Sequence, residues 1–185
     1  MAVATSVLRH EHEAILRMLD VADEVSRRVE RGVPVAPEAF SGLVEFFRLF
    51  ADKCHHGKEE DLLFPALEGK GLPRQGGPVG VMLIEHDQGR AYMKEMAAVA
   101  EAIVKGNADA VRRWVAAARG YSDLLRAHIQ KENNILFVMA ERILSDDEQA
   151  ELARGFERIE IDKMGAGTHE RLHAMMDKLV AEFLG

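Results

Sequence analysis

Apolar residues recur at threes and fours between residues 6 and 31, at Val7, Leu8, Ile15, Leu16, Leu19, Ala22, Val25 and Val29, which predicts one long amphipathic helix. Gly32 and Pro34 stop it. A second helix is expected from Pro37, because proline suits a first helical turn, and it runs to the glycines Gly69 and Gly71. Pro65 should end or kink it near Phe64. Pro78 opens a third run that stops at Gly106-Asn107, and a fourth extends from Ala108 to about Ile143. Ser145 and Glu148 have the spacing of a capping box for a fifth helix, and Thr168 is placed to cap a sixth after the loop at 165–167. The connections near 32–36 and 106–107 are short, so consecutive helices run antiparallel. The expected fold is all-α: an up-down-up-down four-helix bundle over residues 1–144. A C-terminal extension of two helices, residues 145–185, packs on the same domain.

Composition narrows the class. Hydrophobic residues make up 48% of the 185 and aromatics only 6%, which favours helices over a sandwich or barrel. The net charge of -7 offers no positive field for a nucleic-acid backbone or an anionic membrane, so neither partner is expected. No stretch approaches the roughly 18 apolar residues of a membrane span. The N-terminal stretch carries charges where a signal peptide needs its apolar run, and a lone Cys54 forms no internal disulfide, so the expected location is the cytoplasm. Nothing in the pattern chooses between a monomer and a homodimer.

The histidines carry the chemistry. His55 is followed at fixed offsets by Lys58, Glu59, Leu63 and Phe64, and His128 at the same offsets by Lys131, Glu132, Leu136 and Phe137. Glu11-His12 in the first helix likewise matches Glu85-His86 in the third. The two helical hairpins are therefore copies of one unit, each with one lone histidine and one His-x-x-x-Glu pair. Residues four apart share a helix face, so each pair can aim at one point. A single exposed pair of this kind is ordinary helix decoration, but the register here decides otherwise. His12 and His55 lie symmetrically about residues 33–34, and His86 and His128 about residue 107, both inside predicted turns. Positions equidistant from an antiparallel turn sit at one height, so all four helices present these groups at one level. Four imidazoles and two carboxylates buried without partners would be costly, and metal coordination removes that cost.

Six protein ligands exceed the needs of one tetrahedral zinc, whereas two ions bridged by two glutamates require such a set. Nitrogen-rich, open-position chemistry suits two iron ions, Fe2+ or Fe3+, with an oxo or hydroxo bridge, ahead of manganese or zinc. At these residues the chain resembles the hemerythrin-like, or HHE cation-binding, family over about residues 8 to 140. The resemblance implies that His12, His55, Glu59, His86, His128 and Glu132 are ligands, with Glu59 and Glu132 bridging. It further implies a non-haem di-iron protein that binds, senses or scavenges oxygen, peroxide or nitric oxide. Iron donation in iron-sulfur cluster repair and redox turnover of peroxide or nitric oxide are the alternatives. Many repair relatives carry a further cysteine-bearing N-terminal domain, which is not expected here, so repair is the less expected reading. A metal-free or zinc-stabilised structural bundle is a further alternative. Oxygen-carrying members have a further histidine one turn after the third-helix ligand, where this chain has Arg90. Arginine does not ligate, so reversible oxygen carriage is not expected. Arg90 then either holds a bridging carboxylate or an anionic ligand, or reaches out to solvent.

His169-Glu170-Arg-Leu-His173 spells the string of zinc metalloproteases, but no third ligand follows downstream, and that reading is rejected. Similar segments end many proteins of the resembled family, which makes His169 a candidate seventh ligand. His10, Cys54 and His56 are rotated off the ligand face of an α-helix, so His56→Ala is expected to leave metal loading intact while His55→Ala and His128→Ala abolish it. Tyr121 and Trp114, with Phe46, Phe47, Phe50, Phe64 and Phe137, are expected in the core.

Overall fold

A computed structural model describes residues 3–165 and 167–185. Helix α1 spans Ala4–Glu30, α2 residues 37–69, α3 Pro78–Val104, α4 residues 108–143, α5 Asp146–Met164 and α6 Thr168–Leu184. No strand occurs among the described residues. The four long helices form the up-down-up-down bundle, and α5 and α6 complete it. Asn107 caps α4 by accepting from the amides of Asp109 and Ala110. The box at Ser145 and Glu148 is formed in both directions. Gly32 and Gly106 take positive φ, 72° and 78°, to end α1 and α3. Helices α3 and α4 approach so closely that a Cβ at Gly120 would lie 2.5 Å from the Tyr92 ring.

Pro65 does not end α2, although helical geometry changes beside it, near Phe64 as expected. The Phe64 amide bonds the carbonyl of Glu59, five residues back, so the π-helical turn Glu59–Leu63 runs directly into a final α-helical segment, Phe64–Gly69. Proline sits in the first turn of that segment, where its missing donor costs little. Thr168 does not cap α6 either: Gly167, at φ 77°, takes the cap position and no side chain bonds the free amides. Ala166 of that connection lies outside the described residues.

Alpha-helical geometry is interrupted in α2 and in α4. In α2, Phe47–His56 and Glu59–Leu63 are π-helical, and in α4 Glu132–Leu136 is. The Phe137 amide bonds the Glu132 carbonyl as Phe64 bonds that of Glu59. The internal repeat thus extends to the backbone, with a widened turn beginning at each repeated glutamate.

The interior has two apolar clusters. One holds Ile15, Leu19, Phe40, Phe46, Phe47, Trp114 and Tyr121, joined by Leu172, Leu179 and Phe183 of α6. The other holds Leu8, Leu63, Phe64, Met82, Leu136 and Phe137, joined by Phe156 of α5. Along each of the four long helices the histidines and glutamates fall between these clusters, so a polar layer is sealed by hydrocarbon above and below.

Candidate metal centre

The six residues singled out by the repeat are brought together. His12, His55, His86 and His128 are each 1% exposed, and Glu59 and Glu132 are 0% exposed. The imidazoles meet in pairs: Nε2 of His12 lies 3.0 Å from Nε2 of His55, and Nε2 of His86 lies 3.1 Å from that of His128. Each glutamate spans both pairs. Glu132 has one oxygen 3.2 Å from His12 and the other 3.1 Å from His128. Glu59 has one oxygen 3.7 Å from His55 and the other 3.4 Å from His86. This is the disposition of two carboxylates between two cations. None of these four buried oxygens receives a hydrogen bond of acceptable direction. Orphaned carboxylate oxygens facing ring nitrogens at full burial are what a metal pair would satisfy.

Every paired imidazole is fixed from behind through Nδ1. His55 donates to Glu11 at 2.8 Å, His128 to Glu85 at 2.9 Å, His86 to Glu60 at 2.7 Å and His12 to the side-chain oxygen of Asn133 at 2.9 Å. These bonds select the neutral tautomer with its proton on the outer nitrogen and turn Nε2 inward, the orientation that ligation requires. Lys58 and Lys131 explain their place in the repeat: Lys58 pairs with Glu11 and Lys131 with Glu85, fixing the carboxylates that fix the histidines. The repeated phenylalanines also act across the bundle. Phe137 stacks on His12 at 5.5 Å between ring centres, and Phe64 on His86 at 5.8 Å. Each hairpin therefore shapes the lone histidine of the other.

The field of the site favours positive charge. Burial pushes His128 down, but the carboxylates of Glu132, Glu85 and Glu59 outweigh it and hold the imidazole up at about 10. His55 and His86 are raised in the same way, against burial, by Glu59 together with Glu11 and Glu60 respectively. Burial pushes Glu132 up, yet His128 and His12 bring it well below the usual carboxylate range. An environment that raises three buried imidazoles is one that attracts a cation.

His56 departs from the α-helical expectation. Instead of pointing away it is buried at 2% exposure and stacks on His86 at 3.8 Å, inside the π-helical stretch of α2. Its Nδ1 faces Asp52 at 3.4 Å, and its Nε2 is buried without a partner. Burial first, then the neighbouring imidazoles, keeps it well below the ordinary histidine value, so it is a neutral ring with a free lone pair. His56, Glu59, His86 and His128 form one group of converging donors, His12, His55, Glu59 and Glu132 form a second, and Glu11, Cys54 and Glu160 form a third beside them. The signal in the sequence is the doubled histidine at 55–56, matched in the second copy by His128-Ile129. Only a widened helix turns both members inward.

The expectation of a bridging carboxylate on Arg90 is corrected: it donates instead to Asp52 at 2.8 Å and to Glu60 at 2.7 Å. Burial pushes Glu60 up, but His86 and Arg90 take it down to about 2. His169, expected as a candidate seventh ligand, is in none of these groups. It lies on α6 beside Glu160 and His173, at 3.4 and 3.2 Å. Cys54 is buried, and burial pushes its thiol up to about 12, so it is no thiolate. Tyr121 packs on Phe47 at 4.8 Å with a buried hydroxyl.

A family model for the hemerythrin HHE cation-binding domain matches residues 3–140. The chain belongs to that family. It is 32% identical over 119 residues to "Iron-sulfur cluster repair protein YtfE" of Salmonella schwarzengrund, and 31% identical over 119 residues to the protein of the same name from Salmonella newport. Each match covers 61% of this chain and 53% of the relative, so the chain spans about half the length of these curated relatives. No solved structure matches. No helix of the hemerythrin-family chain is long and apolar enough to cross a membrane among the described residues.

Proposed function

We propose that this hemerythrin-family chain holds two iron ions and binds, senses or scavenges a small oxidant, namely oxygen, peroxide or nitric oxide. The observation that carries the reading is the pair of buried glutamates, each reaching one imidazole of each histidine pair. His12 and His55 with Glu59 and Glu132 would hold one ion, and His86, His128 and His56 with the same glutamates the other. Iron so held supplies one-electron chemistry and open coordination positions for a small ligand. The halves are unequal, since one offers two imidazoles and the other three. The exogenous ligand therefore belongs on the His12/His55 side, where protein donors are fewer. His56 takes the place of the histidine that Arg90 replaces in oxygen-carrying relatives. Near-total burial of all seven side chains restricts access to ligands of a few atoms and keeps bulk water away.

The paired-metal reading is tested by replacing both glutamates. Glu59→Ala with Glu132→Ala is expected to lose paired iron loading, and normal loading of two ions in that variant would refute the bridged arrangement. A second reading, iron donation to damaged iron-sulfur clusters, is favoured by the printed name of the Salmonella relatives. Mixing the iron-loaded chain with a cluster-free ferredoxin-type acceptor separates the two. Retention of iron, with a spectrum that responds to oxygen or nitric oxide, supports the binding reading. Rapid transfer of iron to the acceptor supports repair.

A further inference from the structure

The lysine, glutamate and histidine behind the centre occur as two copies, and the copies differ in one respect. In each, one oxygen of a glutamate accepts from Nδ1 of a paired histidine and the other meets the repeated lysine. Glu11 stands between His55 and Lys58, and Glu85 between His128 and Lys131. The Lys131 side chain is 36% exposed, and among the described residues it pairs with Glu85 alone. The Lys58 side chain is 1% exposed and has a second carboxylate, Glu160 of α5, at 3.3 Å. Glu11, Cys54 and Glu160 converge here, and the cation that the two carboxylates share is the Lys58 ammonium.

Glu160 is held in this place by the packing of α5. Three residues further on, Lys163 pairs with Asp61 of α2 at 2.6 Å. The two helices lie so close that a Cβ at Gly155 would come within 2.7 Å of Leu62. Lys58 and Asp61 flank Glu59 in the chain, so α5 docks against the turn of α2 that carries one of the two central glutamates. Glu11 and Glu160 also line a solvent-open cavity of about 860 Å³ between α1, α5 and α6, where Oε1 of Glu160 faces Nε2 of His169 at 3.4 Å.

Charge makes the copies unequal. One ammonium and one carboxylate cancel behind His128, whereas one ammonium and two carboxylates leave a net negative charge behind His55. A carboxylate whose ammonium is shared keeps more of its own charge and accepts more strongly from the imidazole it faces, which makes that imidazole the better donor through Nε2. Burial of Lys58 leaves this field weakly screened. We propose that Glu160 is a positioning residue for the His12/His55 half of the centre: by drawing on Lys58 it strengthens the hold of Glu11 on His55, tightens that half's grip on its iron and favours the oxidised ion. This role rests on the dinuclear reading above. It gives α5 a part that neither repeat supplies, on the half where the exogenous ligand belongs.

The test compares the iron-loaded full chain with its Glu160→Gln variant, which keeps the shape, at about pH 8, above the ordinary titration range of histidine. The variant is expected to release one of its two irons to a chelator about three- to tenfold faster. At a fixed solution potential its ratio of oxidised to reduced iron is expected to fall by a similar factor. Glu160→Asp keeps the charge and is expected to restore most of that ratio, which a purely structural contact would not. Release and ratio unchanged in Glu160→Gln would overturn the proposal, as would a Glu160→Asp variant no better than Glu160→Gln. A wild type that loads a single iron, released faster in Glu160→Gln, would overturn the dinuclear reading and leave Glu160 its role, so the two failures are distinguishable.

Discussion

At the scale of single residues, the centre is built by groups that restrain one another. Glu11 fixes His55, and Lys58 fixes Glu11, with Glu85, His128 and Lys131 repeating the arrangement. Glu11→Gln keeps the size of the side chain but removes the charge that orients the imidazole. It is expected to cost about 10–100-fold in iron affinity, measured by competition with a chelator, without altering the helical circular dichroism. His56→Ala is expected to leave the fold intact yet surrender one of two irons to a chelating resin, because it removes a nitrogen from one half only. Full retention of both would return His56 to a packing role. The six residues of the repeat were legible because copies at matched distances from two turns constrain geometry that one motif alone does not. His56 was not legible, since its direction depends on a π-helical turn that shifts everything beyond it by roughly one residue step, about 100°.

At the scale of helices, α2 and α4 show how backbone and site depend on each other. The widened turns begin at Glu59 and Glu132, and each is followed by the leucine and phenylalanine that line the second apolar cluster. Pro65 is absorbed by this device, so Pro65→Ala should change stability by less than about 1 kcal/mol in chemical denaturation. A gain near 3 kcal/mol would show instead that the proline strains an ordinary helix interior. Helix ends at Gly32 and Gly106 and the capping box at Ser145 were readable because each uses a residue type that its local backbone demands. The start of α6 was misread because Thr168 has a side chain suited to capping, whereas the backbone gives that place to Gly167.

At the scale of the molecule, the last two helices are part of the interior. Phe156 of α5 is 1% exposed among residues from α1, α2 and α4, while Leu172, Leu179 and Phe183 of α6 complete the other cluster. Phe156→Ala should therefore cost about 3–5 kcal/mol in denaturant unfolding of the whole chain. A loss below about 1 kcal/mol would mean that α5 rests on the bundle without sealing it. The amphipathic pattern foretold six helices, but not that α5 and α6 would form the cavity beside the centre. That placement follows from which faces remain uncovered once the four long helices have packed.

Metal content after Fe(II) loading and passage over a chelating resin, joined to the optical spectrum before and after reduction and exposure to air, tests the central claim most directly. The resin removes loosely held surface ions and leaves the buried pair. Two irons per chain, with a ligand-to-iron charge-transfer band that changes on reduction, is the predicted result. Substoichiometric iron, or zinc with a featureless spectrum, would contradict it.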